Sequence, residues 1–158
     1  LPLKINNMQR YDAKDLRILR VLQVDSTAAV ADLAAQIGLS INACWRRVKR
    51  LQDETIDRQV AILQPEHFGF GLTAFVSVRT NEHNDQWLQT FAEGISKIDE
   101  VVEFYRLSGQ YDYLLKILAK DVADYDLVYK RIIKIAPLTD VSSSFAMERI
   151  KTTTALPI

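Results

Sequence analysis

Cysteine occurs once in the 158-residue chain, at Cys44. A lone thiol builds neither a disulfide framework nor a cysteine-based structural zinc site, so the reducing cytoplasm is the expected compartment. Histidine is almost as scarce. His67 and His83 fall in connectors, with no partner at metal-ligand spacing. The five glycines form no phosphate-cradling loop and no dinucleotide fingerprint, and no serine elbow is present. Asp124 and Asp126 stand two apart on a helical stretch, on different faces. No enzyme activity, metal or cofactor is therefore expected. No window reaches the roughly 18 uninterrupted apolar residues of a membrane-spanning helix. Leu1-Pro2-Leu3-Lys4-Ile5 runs into the polar Asn6-Asn7-Met8-Gln9-Arg10, which reads as no secretory leader. The start at Leu1 suggests a processed terminus, with Met8 as an internal start. Excess charge is missing too: 20 basic residues balance 20 acidic ones, unlike a nucleic-acid coat protein.

What is present is asymmetric. Up to Arg58 the chain holds ten Lys/Arg against seven Asp/Glu, and the remainder ten against thirteen. Opposite signs suggest two modules with different partners. The first third reads as helices. Asp12 is a plausible N-cap, with Asp15 in the first turn and Leu16, Ile18, Leu19, Val21 and Leu22 near one side. Val30, Leu33, Ala34 and Ile37 form the i, i+3, i+4, i+7 stripe of a second helix. Gly38 follows where a helix wants a left-handed residue, Leu39 can pack back, and Ser40 can cap a third helix. That third helix buries Cys44, Val48 and Leu51, which makes Cys44 a small hydrophobe rather than a reactive thiol. Beyond it, residues 58–63 look like a short strand, and Pro65 bars a long helix.

The second half alternates differently. Residues 72–80 are rich in β-branched and aromatic side chains, as in a strand. Residues 85–98 suggest a helix with Trp87, Leu88, Phe91, Ile95 and Ile98 inward. Strands follow at 101–107 and 113–119. A helix is expected at 121–135, with Val122, Tyr125, Val128, Tyr129 and Ile132 on one face, stopped by Pro137. A long last strand spans 141–154. The β-α-β-β-α-β order is that of the split βαβ, or ferredoxin-like, topology. Its sheet has helices on one face, so the other needs covering, in general by a partner subunit. Phe75, Phe104 and Tyr105 are candidates for that face.

Two stretches carry chemistry. Helix, tight turn and helix over residues 29–53 match a helix-turn-helix, whose second helix enters the major groove. Its outer face holds Arg46, Arg47, Lys49 and Arg50, suited to phosphates and guanine edges. Ser40, Asn42 and Ala43 in its first turn would reach bases, Asn42 bonding adenine and Ala43 touching a thymine methyl. Trp45 either closes the core edge, the default, or contacts the nucleic-acid backbone. Four basic residues also describe an ordinary solvated face. The Gly38 turn and the charge asymmetry tip the balance to DNA. In the second half, Gly109-Gln110-Tyr111-Asp112 could receive a ligand ammonium at Asp112. From spacing alone a plain hairpin explains it better.

Together these segments resemble the Lrp/AsnC (leucine-responsive/asparagine-responsive, feast/famine) transcription regulators. The resemblance rests on Asp12-Ala13-Lys14-Asp15-Leu16-Arg17-Ile18-Leu19, Leu33-Ala34, Gly38-Leu39-Ser40 and Cys44-Trp45-Arg46-Arg47-Val48-Lys49-Arg50-Leu51. It continues through Val60-Ala61-Ile62-Leu63-Gln64-Pro65, Ser108-Gly109-Gln110-Tyr111-Asp112-Tyr113-Leu114-Leu115 and Ser142-Ser143-Ser144-Phe145-Ala146-Met147. It covers the chain from about residue 9 onward, in family order. It implies an α+β protein with a winged helix-turn-helix at 9–57. A hinge strand and linker at 58–67 and a ferredoxin-like effector and oligomerisation domain of RAM/ACT-like type at 68–158 would follow. It also implies sheet-paired dimers that assemble to an octamer, and an amino-acid effector bound between subunits. That site would comprise Gly109, Gln110, Tyr111 and Asp112 together with Ser142, Ser143 and Ser144, which reverses the hairpin reading. Two departures stand out. The family's glycine after the recognition helix is absent from Leu51-Gln52-Asp53-Glu54-Thr55-Ile56-Asp57, and Ile41 replaces the usual proline.

The expected function is thus sequence-specific DNA binding modulated by a small amino acid. The rival is an oligomeric amino-acid-binding domain without a specific DNA role. An RNA-binding sheet is disfavoured, because Glu103-Phe104-Tyr105-Arg106 lacks the glycine of the usual motif and starts acidic.

Overall fold

A computed structural model describes residues 10–158. The readings of Leu1–Ile5 as no leader and of Met8 as a start, and the first residue of the 9–57 segment, lie outside the described residues. The chain divides into two compact units. One comprises Leu1–Ala61 and Lys151–Ile158, the other Ile62–Ile150. The sequence division thus differs at its end: the last eight residues group with the helices, not the sheet.

The helical unit contains α1 (Ala13–Leu22), α2 (Val30–Ile37) and α3 (Ile41–Glu54). Asp12 caps α1 as expected, in a full capping box. Its carboxylate accepts from the Lys14 and Asp15 N–H groups, and the Asp15 carboxylate accepts from the Asp12 N–H. Ile18, Leu19 and Leu22 meet Leu33, Ala34 and Ile37 of α2 and Cys44, Val48 and Leu51 of α3 in one buried cluster. Gly38 takes φ 69°, ψ 52° and ends α2, its N–H returning to the Ala34 carbonyl. The Ser40 hydroxyl accepts from the Ala43 N–H at 3.3 Å and starts α3. At the far end of α3 the Thr55 and Ile56 N–H groups close onto the Leu51 carbonyl, and no strand follows before residue 72. The expected strand at 58–63 is therefore not formed, nor is a strand-built wing. These residues are exposed, and a strand needs a ladder partner that the single chain does not supply here. Residues 151–158 lie on α1: Arg20 Nε donates to the Ile158 carbonyl at 2.5 Å. Gln23 both donates to the Leu156 carbonyl (3.0 Å) and accepts its N–H (2.8 Å).

The sheet unit opens with a short 3-10 turn, Pro65–Phe68. Then come β1 (Leu72–Arg79), α4 (Asp85–Ile95), β2 (Val101–Arg106), β3 (Tyr113–Ala119), α5 (Val122–Ile132) and β4 (Asp140–Phe145). The strand order is β2-β3-β1-β4, antiparallel throughout, which is the expected ferredoxin-like arrangement. Ala74, Val76 and Val78 pair with Ile117, Leu115 and Tyr113 on one face, beneath Trp87, Phe91 and Ile95 of α4 and Tyr125, Val128 and Ile132 of α5. The period-two alternation of β3 is complete, every second residue being buried.

Several expectations change. The last strand is six residues, not fourteen, because it pairs only along β1. Val122 is exposed at the first position of α5, where the helix has not yet reached the core. Phe104 belongs to the helix-side core. Its register partner is Leu115, and its ring meets Phe91 at 5.7 Å and Tyr113 at 5.6 Å. Phe75 and Tyr105 do lie on the open face, 39% and 50% exposed.

Candidate functional site

On α3 the cluster of Cys44, Val48 and Leu51 fixes which side faces out. Asn42, Trp45, Arg46 and Lys49 are exposed, Ala43 is half-buried, and Ser40 is exposed at the cap. Trp45 is 55% exposed, so the default core reading gives way to a solvent-facing indole. Lys49 pairs with Asp53 at 3.1 Å, one turn on. Burial pushes the Cys44 thiol up, with Arg47 opposing, as suits an inert hydrophobe.

Arg47 and Arg50 depart from the expected set. Their guanidiniums turn to α1. Arg47 Nη1 donates to Asp12 Oδ2 at 2.7 Å and to Asp15 Oδ1 at 2.8 Å, and Arg50 Nη2 donates to Asp15 Oδ2 at 2.8 Å. The Asp15 side chain is 3% exposed. Its burial raises the carboxyl, but the bonds from Arg50 and Arg47 outweigh that and hold it below the usual carboxylate range. Asp12 is lowered as well, first by the Asp15 N–H and then by Arg47. The physical reason is spacing. Positions 47 and 50 are one turn apart on α3 and share the side that meets α1, whereas 46 and 49 share the outward side. The cleft between the start of α1 and α3, about 710 Å³, is lined by Arg10, Arg46, Arg47 and Arg50 with Asp12 and Asp15. Arg10 pairs with Glu54 at 2.7 Å, which leaves Arg46 as the guanidinium of the four without an ion pair among the described residues. The surplus of one cation, on Arg46, suits an anionic partner.

In the sheet unit, the loop before β3 and the start of β4 flank the end of β1. Gly109 sits at φ +145°, a backbone that side-chain-bearing residues rarely adopt. The Gln110 carbonyl accepts two bonds from Arg79, from Nε at 2.9 Å and Nη2 at 2.7 Å. The Arg79 guanidinium carbon stands 5.4 Å from the Tyr111 ring centroid. Asp112 Oδ2 accepts the N–H of buried Thr80 at 2.9 Å, and the Asp112 N–H donates to the Val78 carbonyl at 2.9 Å. The carboxylate expected to meet a ligand ammonium thus already secures the β1 end with one oxygen. The serine triplet is divided by the pleat. Ser142 and Ser144 pair with Ser77 and Phe75 on the open face. Ser143 opposes Val76 on the helix side, where its hydroxyl bonds the Tyr125 hydroxyl. Sequence reasoning missed Arg79, Thr80 and the buried Asp15. The strand alternation could place Arg79 on the open face, but nothing in the sequence pairs it with Gln110.

Two family models match the chain: the AsnC-type helix-turn-helix domain over residues 12–52 and the Lrp/AsnC ligand binding domain over residues 73–156. The chain belongs to the Lrp/AsnC family. Among Lrp/AsnC relatives, the glutamate uptake regulatory protein of Zymomonas mobilis subsp. mobilis is 43% identical over 152 residues, covering 96% of this chain and 93% of that protein. The DNA-binding transcriptional activator DecR of Escherichia coli K12 is 44% identical over 149 residues, 93% of this chain and 98% of that one. The crystal structure of an AsnC family transcriptional regulator from Agrobacterium tumefaciens matches with a TM-score of 0.88 and 52% identity, covering 93% and 97% of the two chains. A Neisseria meningitidis transcriptional regulator, solved as its L-methionine complex, matches at 0.87 and 32% identity, with 93% and 96% covered.

Proposed function

We propose that this Lrp/AsnC chain is a cytoplasmic, sequence-specific DNA-binding transcription regulator set by a small amino acid, with no catalytic step of its own. The outward side of α3 supports the DNA half of the reading. There Arg46 makes no ion pair among the described residues, and Asn42 and Trp45 stand exposed beside it. Ser40, Asn42 and Ala43 form the turn that meets base edges, while Trp45, Arg46 and Lys49 take the backbone. Arg47 and Arg50 move from direct contact to support of the helix. A two-fold dimer would offer two such helices to half-sites about one helical turn, or a multiple, apart. The uncovered sheet face bearing Phe75 and Tyr105 favours pairing, and an octamer is the assembly expected of the family.

The amino-acid half draws on relatives: the Neisseria regulator, 32% identical, was solved with L-methionine. In this chain the ligand would meet the loop of Gly109, Gln110, Tyr111 and Asp112 and the open-face serines Ser142 and Ser144, with Ser143 holding the strand to α5. No resident cofactor belongs to this reading; the effector is the only small molecule. The test is DNA binding across salt concentrations. Each phosphate contact contributes about 0.9 to the log–log slope, so Arg46→Ala should flatten it by roughly that amount. An unchanged slope and affinity removes Arg46 from the interface. A wild type whose DNA affinity, footprint and assembly ignore every standard amino acid removes the effector half.

A further inference from the structure

Arg79 is the last residue of β1, and β1 lies between β3 and β4 in the sheet. It therefore stands between the two stretches of the effector region. Toward β3, three consecutive residues hold the loop. The Val78 carbonyl accepts the Asp112 N–H, the Arg79 guanidinium forks onto the Gln110 carbonyl, and the Thr80 N–H donates to the Asp112 carboxylate. Toward β4, the Arg79 carbonyl accepts the Thr139 N–H at 2.9 Å, and its partner across the ladder is Asp140. The pleat puts Arg79 on the same face as Ser142 and Ser144.

The three loop attachments differ in kind. Those at Val78 and Thr80 run between backbone groups at or just beyond the end of β1 and Asp112. The Arg79 fork alone reaches Gln110 and Tyr111, the part of the loop next to Gly109. Glycine there leaves the backbone without a preferred well, so the position of the Gln110 carbonyl follows from what holds it. A guanidinium does so with two parallel donors in a rigid plane, and the same plane faces the Tyr111 ring.

We propose that Arg79 is a positioning residue of the amino-acid site. Its guanidinium fixes the Gln110 carbonyl and the Tyr111 ring so that the loop and the Ser142/Ser144 face are presented together to an α-amino acid. The inference rests on the effector reading above. The geometry separates it from a role for positive charge alone. A lysine keeps the cation but supplies one point donor, and cannot fork onto a carbonyl.

The experiment is isothermal titration of the full chain with each standard amino acid, L-methionine included. Wild type is compared with Arg79→Lys, Arg79→Met and Tyr111→Leu, with melting temperature and amino-acid-free DNA affinity recorded for each. The expected result is a loss of about tenfold or more in amino-acid affinity for both Arg79 variants and a smaller loss for Tyr111→Leu. A tenfold change is about 1.4 kcal/mol. Should Arg79→Met fail to fold, Arg79→Lys carries the comparison. Wild-type affinity in Arg79→Lys assigns the effect to charge and overturns the proposal, as does wild-type affinity in a folded Arg79→Met. If no amino acid binds wild type, the effector reading itself fails and the proposal falls with it, an outcome distinct from the other two.

Discussion

Asp15→Asn is the most informative single change in the helical unit. The carboxylate accepts from Arg47 and Arg50, each at 2.8 Å, and from the Asp12 N–H at 3.3 Å. Asparagine keeps the shape and one acceptor for the Asp12 N–H, but removes the charge and leaves two guanidiniums against a neutral amide. Breaking a fully buried ion pair costs about 3–5 kcal/mol, and breaking an exposed one about 0–1 kcal/mol. Here the acid is buried while the Arg47 and Arg50 side chains are 30% and 36% exposed and can turn to water. The loss should fall between those limits, at about 2 kcal/mol, or on the order of 10 °C in melting temperature for a unit of this size. The effect also has a pH signature. Asp15 is held below its unfolded pKa, so its contribution is complete above about pH 4 and disappears as pH falls through the folded value. Thermal melts by circular dichroism at neutral and acid pH check both points, and hydrogen exchange of the α1 and α3 amides places the loss. A variant that melts with wild type at neutral pH refutes the reasoning. So does a gap between variant and wild type that is the same in acid.

Arg47→Ala should lower the melting temperature and leave the salt slope of DNA binding unchanged, the reverse of Arg46→Ala. Fluorescence anisotropy at several salt concentrations reads the difference. Gly38→Ala should cost about 1–2 kcal/mol in urea unfolding, because φ 69° is unfavourable for alanine although no atom lies within 4 Å to clash. Ser143→Ala strands the hydroxyl of buried Tyr125 and should cost about 1 kcal/mol, while Tyr125→Phe should cost less, because exposed Ser143 can turn to water. The double variant should cost no more than one single, so additive losses would show that the two hydroxyls do not act as a pair.

Periodicity made the two cores readable, since burial requires repeated apolar positions. Leu33, Ala34 and Ile37 of α2, and the alternation from Tyr113 to Ala119, are plain in the sequence. Gly38 and Ser40 announced the turn because each residue type has a local backbone or capping reason to be there. Direction was harder. Four basic residues on α3 look alike in sequence, yet Arg47 and Arg50 serve α1 while Arg46 and Lys49 face out. The decision rests with Asp15, thirty-two residues before Arg47. Residues 58–63 have the side chains of a strand, but a strand is a property of two segments, and its partner was not legible in one. The serine triplet looked like a single patch until the register with β1 divided it. Arg79 stayed hidden because its role depends on a carbonyl, which every residue has.

The return of residues 151–158 to α1 makes the sheet unit an insertion within the helical one. The chain crosses between units twice, at 61–62 and at 150–151. A single proteolytic cut in the exposed stretch 58–64 therefore leaves the helices holding a segment covalently continuous with β4, through Gln23 and Arg20. After that cut the two fragments are held by non-covalent contacts such as these exposed hydrogen bonds, whereas a cut within the exposed stretch 146–150 leaves the units covalently joined through 58–64. The strand that carries Ser142 and Ser144 thus runs through a short stretch of chain into the segment that lies on α1, the helix whose Asp15 holds Arg47 and Arg50 of α3. A nicked chain can therefore stay associated through residues 151–158 where a simple tandem of two domains would come apart.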